Sequence, residues 1–230
     1  MRMTTVGRRR CGLAMLAAVA VLAGCATISN PLSLEELKSL RISGVDVVYA
    51  PQASIYWPGA EQEYVAGVQA KQGKSAAASK KSTAVVSTSD VTTSGGTDGT
   101  SSEYTSIAET PEAKQYLRDK LAALVKAQVE KSLMPHFNGT REARIEVAVH
   151  AFNIPPAVQR VVLGGAPVLM AVMTLKDAAT GKELAKMDRG SGAYAGNGLL
   201  GVAVDQFLED LEVRVIDAYG EQLRQWLLKQ

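Results

Sequence analysis

His136 and His150 are the only histidines in the 230-residue chain, and each is a candidate general base or metal ligand. They fall on different predicted elements, with no cysteine and no paired carboxylates at ligand spacing, so they compose no metal site. A hydrolytic triad would need one of them to activate a serine. No Gly-x-Ser-x-Gly sequence, which would present such a serine at a strand-to-helix turn, occurs in the chain. Gly196-Asn197-Gly198-Leu199-Leu200-Gly201 matches the phosphate-cradling pattern G-x-G-x-x-G and opens a helix. The dinucleotide fingerprint needs those glycines directly after a parallel strand, with an acidic residue ending the next strand. Here the preceding strand belongs to a hairpin and no further strand is expected, so the segment reads as a connection that permits close packing. No catalytic residue, cofactor or metal is therefore expected.

Two side chains are candidates for contact with a partner. Tyr56 and Trp57 are adjacent at a strand end, so one should point inward and the other outward. Trp57, if exposed, would suit a protein contact; core filling by one ring is the plainer alternative. Arg160 stands beside Gly164-Gly165 on a loop opened by Pro155-Pro156, where it could meet a partner's acid or pair with a local carboxylate or carbonyl.

Arg2, Arg8, Arg9 and Arg10 precede an unbroken small or apolar run from Gly12 to Gly24, the layout of an export signal. As a helix that run would span about 20 Å, too short for a hydrocarbon core of about 30 Å. The four residues that follow its core, Leu22-Ala23-Gly24-Cys25, resemble the lipobox of bacterial lipoproteins. The resemblance implies a thioether-linked diacylglycerol on Cys25, cleavage before it, and acylation of the new amino terminus. Several acyl chains, at about 0.8 kcal/mol per buried CH₂, make such an anchor effectively permanent. Position 26 is Ala rather than Asp, which in such lipoproteins implies the periplasmic face of the outer membrane.

Removing residues 1–24 leaves 206 residues and takes away four of the 25 basic groups, so 21 face 23 acids and the net charge becomes −2. The basic character belongs to the leader, and nothing overall points to nucleic acid. Cys11 leaves with the leader and Cys25 is lipidated, so no disulfide forms and the core alone must hold the domain.

Residues 25–44 are expected to be anchor and tether, with a short capped helix from Ser33-Leu34-Glu35-Glu36 through Leu40. A single α+β domain follows over residues 45–230. Val45, Val47 and Tyr49 alternate in a first strand that can continue, long or bulged, to Trp57 before Pro58-Gly59 turns the chain. Between Lys71 and Ala108, 16 of the 38 residues are Ser or Thr. This composition cannot offset its ordering entropy, so residues 71–108 read as a disordered insertion. Thr110-Pro111 then caps a helix whose apolar residues run from Ala113 to Leu133, and Pro135 ends it.

Ala143 to Phe152 form a strand with Ile145, Val147, Val149 and Ala151 facing one way and Arg144, Glu146 and His150 the other. Val168–Lys176 and Lys182–Asp188 make a hairpin about Asp177-Ala178-Ala179-Thr180-Gly181. A last helix carries Val204, Phe207, Leu208, Leu211, Val215, Tyr219, Trp226 and Leu227 on one stripe. The order β-α-β-β-β-α predicts a small mixed four-stranded sheet. Its first two strands are parallel through a right-handed crossover, and two amphipathic helices pack on one face.

Ile55-Tyr56-Trp57, Thr110-Pro111-Glu112-Ala113-Lys114, Val158-Gln159-Arg160-Val161, Asp177 to Gly181 and the closing Asp217-Ala218-Tyr219 to Trp226-Leu227-Leu228 resemble uncharacterised lipoproteins of alphaproteobacteria. In arrangement alone, the plan is similar to the domain shared by penicillin-binding-protein activator lipoproteins and the amino-terminal domain of TolB. Neither resemblance transfers a catalytic residue. The expectation is a membrane-anchored, non-enzymatic envelope lipoprotein that serves as a protein-interaction module. An auxiliary subunit of an envelope transport or wall-synthesis complex is the alternative, and a hydrolase of envelope polymers a third reading.

Overall fold

Ser33 caps the first helix in the box its spacing predicts. Its Oγ accepts from the Glu36 N–H at 3.1 Å, and its own N–H donates to the Glu36 carboxylate at 2.7 Å. The computed structural model describes residues 30–71, 98–162, 165–193 and 210–228. The leader, Cys25 and Gly196–Gly201 lie outside them, as do Val204, Phe207 and Leu208.

Helix α1 (Leu34–Ser39) passes directly into β1 (Leu40–Tyr56), which is followed by α2 (Pro58–Lys71), α3 (Asp98–Ala108) and α4 (Pro111–Leu133). A single 3₁₀ turn (Met134–His136) precedes β2 (Arg141–Asn153), and then come α5 (Ala157–Val162), β3 (Val168–Asp177), β4 (Glu183–Ala193) and α6 (Leu211–Leu228). The strands make one mixed sheet in the order β1-β2-β3-β4. β1 and β2 are parallel, and the other two pairings are antiparallel.

The expected architecture holds. α4 starts where Thr110 Oγ1 accepts from the Ala113 N–H at 3.2 Å, with Pro111 in the first turn. Its buried residues Leu117, Leu121, Val125, Val129 and Leu133 recur every four positions along one stripe. α6 buries Val215, Ile216, Tyr219, Leu223 and Leu227 in the same way. Beneath them lie Ile145, Val147, Val149, Leu169, Met173 and Leu175, all inaccessible to solvent. Burying a side chain of this size contributes about 1.5–3 kcal/mol, so these two stripes and the sheet face under them carry the domain. The β3–β4 hairpin closes where expected: the Asp177 carboxylate accepts from Thr180 N at 2.9 Å and Thr180 Oγ1 at 2.7 Å, and Gly181 takes a φ of 70°.

Four local expectations are corrected. Pro58 begins helix α2 rather than a turn; proline's fixed φ suits a first helical turn as well as a bend. Residues 98–108 of the stretch expected to be disordered form α3, which packs on α2 and whose Tyr104 Oη donates to Glu61 at 3.0 Å. The loop after β2 contains the short helix α5. In β2 the register with β3 slips between Val149 and Ala151. His150 is the extra residue, so Phe152 instead of Ala151 points into the core.

Candidate functional site

Because β1 and β2 are parallel and in register at Tyr56↔Asn153, the chain leaves both at the same end of the sheet. The two exits, Trp57-Pro58 and Ile154-Pro155-Pro156, meet the start of α6 and enclose a cleft of about 470 Å³. Such a crevice at the carboxyl ends of parallel strands is a common place for ligands in open sheets.

Trp57 lines this cleft but is only 3% exposed, packed edge-on against Phe152 with centroids 5.3 Å apart and planes at 81°. The ring that projects is Tyr56, at 44% exposure. Strand alternation predicts one in and one out; as an exposed anchor, Trp57 is corrected. Arg160 lines the same cleft from α5 and is 5% exposed, so it too is a wall residue and not a surface contact. The structure thus brings the two side chains together.

Lys120, on α4, closes the cleft over the tryptophan. Its Nζ lies 5.4 Å from the Trp57 ring centroid and 5.8 Å from that of Tyr116, and it donates to the Glu63 carboxylate. Tyr116 Oη donates to the other Glu63 oxygen at 2.8 Å. The Lys120 and Tyr116 hydrogen bonds hold the Glu63 carboxyl below its ordinary range. Across the cleft, burial pushes the Glu212 carboxyl up, reinforced by the charge of Asp210 and opposed by that of Lys120. The lining therefore combines an apolar wall (Trp57, Ile154, Pro155, Leu211) with Lys120 and Arg160 on one side of the charge balance and Glu63, Asp210 and Glu212 on the other. It can seat an apolar group beside a hydrogen-bonding or charged one. Lys120, Glu63 and Glu212 carry no sequence motif; three separate helices supply them, and only the fold relates them.

His150 is exposed at the β2 bulge and His136 is exposed after α4, on separate elements. Among the described residues no group of three or more His, Cys, Asp or Glu is arranged to hold a metal ion. No described helix is long and apolar enough to cross a membrane.

No family model and no curated protein matches the chain. Among solved structures it is similar to a candidate lipoprotein from Caulobacter crescentus CB15, at 16% identity and a TM-score of 0.30, over 47% of this chain and 81% of that one. It is also similar to a PelC dodecamer from Paraburkholderia phytofirmans, at 16% identity and a TM-score of 0.26, over 49% and 77% of the respective chains.

Proposed function

We propose that this chain is a cell-envelope lipoprotein, held by lipid on Cys25, whose α+β domain presents its cleft end to a partner protein. The observation that carries the reading is the succession of Arg8-Arg9-Arg10, the apolar run 12–24 and Leu22-Ala23-Gly24-Cys25. Outer-membrane residence on the periplasmic side rests on Ala26.

The geometry of the domain supports a contact directed away from the lipid. Asn30 is the first described residue, and its Nδ2 donates to the Leu227 carbonyl at 2.9 Å, in the last turn of α6. Four residues separate Cys25 from Asn30, so the tether reaches at most about 18 Å. The cleft touches Leu211 and Glu212, in the first turn of α6. That helix is about 27 Å long at 1.5 Å per residue, so Asn30 and the cleft lie at its opposite ends.

Two experiments test the reading. Cys25→Ser should leave an unprocessed precursor that carries no lipid; mature protein still cofractionating with the outer membrane would refute the anchor. A photo-crosslinking residue at Gln62, exposed on the cleft rim, should capture one defined envelope protein from living cells. Absence of any adduct with the intact lipoprotein would refute the contact.

A further inference from the structure

α4 and α6 cover one face of the sheet, and among the described residues no helix packs on the other. That bare face divides into two zones along the strands. Nearest the tether end it carries charge. Arg41 pairs with Glu142, and Arg144 clasps Asp46 through two hydrogen bonds at 2.5 and 2.8 Å. Lys176 pairs with Glu146 at 2.7 Å, and Lys186 with Asp188 at 2.9 Å. Each of the four pairs sets one cation against one anion, and Glu183 stands in register with Lys176, so among the described residues the charges of this zone are mixed in sign. Nearest the cleft end it is apolar: Val48, Ala148 and Val172 stand in register across three strands, with Met170 and Tyr56 beyond them. Val48, Met170 and Tyr56 are 40%, 50% and 44% exposed. Tyr56 Oη donates to Gln159 of α5 at 3.4 Å, and Val158 and Val162 on that helix extend the patch at 72% exposure each. Five of the six large apolar side chains exposed among the described residues thus gather at one end of the molecule.

We propose that a second copy of this chain docks on the bare face, about a two-fold axis running along the strands. Such an axis keeps every residue at its own level. The mixed-sign lattice of one copy faces that of the other, and the apolar zone of Val48, Val172 and Met170 faces the apolar zone of its partner. It also holds both Asn30 ends at one level, as two short tethers in a single leaflet require; this part rests on the anchored reading above. A zone of strong single-sign charge would repel its own copy, and this one has none. Four strands about 4.8 Å apart and ten residues long present about 600 Å² in projection, before side-chain relief is counted. A stable interface buries about 800 Å² of accessible surface per partner.

The test uses the full chain in cells, with a single added cysteine and a bis-maleimide crosslinker. The parent, with Cys25 blocked by lipid, should not label. Met170→Cys should yield a product of twice the mass, Lys131→Cys on the exposed side of α4 should not, and adding Val48→Glu to Met170→Cys should remove most of the dimer. A Met170→Cys protein that stays monomeric, joins a protein of another mass, or crosslinks no better than Lys131→Cys overturns the proposal. A parent that labels condemns the anchor alone, and the same comparison in a Cys11→Ser, Cys25→Ser background then decides the dimer.

Discussion

Gly190 of β4 lies beneath the ring of Tyr219 of α6, so close that a Cβ at position 190 would stand 2.5 Å from Tyr219 Cε2 and 3.1 Å from the Ala171 carbonyl oxygen. The backbone carbonyl cannot move aside and the ring is fully buried. Gly190→Ala is therefore an overpacking substitution, expected to cost about 1–3 kcal/mol in urea unfolding. An unchanged midpoint would mean that α6 does not press on β4 here.

The same ring offers a converse prediction. Tyr219 Oη is buried and finds no hydrogen-bond partner among the described residues. Tyr219→Phe removes a desolvated hydroxyl at no packing loss and should leave stability unchanged or higher, whereas Tyr219→Ala should cost about 3–5 kcal/mol. A clear destabilisation by the phenylalanine would show that the hydroxyl has a partner.

Trp57 and Tyr56 test which way the strand end faces. Trp57→Ala empties a buried site and should lower stability by about 3–5 kcal/mol, while Tyr56→Ala should cost less than about 1 kcal/mol. Equal losses would contradict the inward placement of the indole.

Much of this was legible in the sequence because apolar spacing is a direct record of burial. The stripes of α4 and α6 and the alternation of β2 follow from it, and so does the parallel β1–β2 pair, since a helix joins the two strands. α2 escaped for a physical reason: of its 14 residues only Ala60 and Val65 are buried, so no stripe exists to be read. The bulge at His150 was invisible too, since an extra residue shifts the phase of the pattern without changing its composition. Of the candidate site, Trp57 and Arg160 could be named but not placed together. Their neighbourhood depends on two strand exits and a helix start that are distant in sequence, and Lys120, Glu63 and Glu212 read as ordinary solvated charges until those ends converge.

Asp177 predicts an acid sensitivity. Hydrogen bonds from the Thr180 hydroxyl and N–H, and from Arg141, hold its carboxyl down at about 2. A carboxyl depressed in the folded state stabilises it above the unfolded value of about 3.9, and that contribution is lost as pH falls towards 2. Asp177→Asn should therefore lower the melting temperature at pH 7, with the difference from the parent shrinking between pH 4 and pH 2. A gap that persists at pH 2 would assign the loss to the turn's hydrogen bonds instead of the charge.

The anchor is most directly tested by mass spectrometry of the amino-terminal peptide of the protein extracted from membranes. A lipid-anchored protein gives a peptide that begins at Cys25 and carries a diacylglyceryl thioether and an acylated amine. A peptide that retains the residues before Cys25, or one whose cysteine is free or disulfide-bonded, would contradict it.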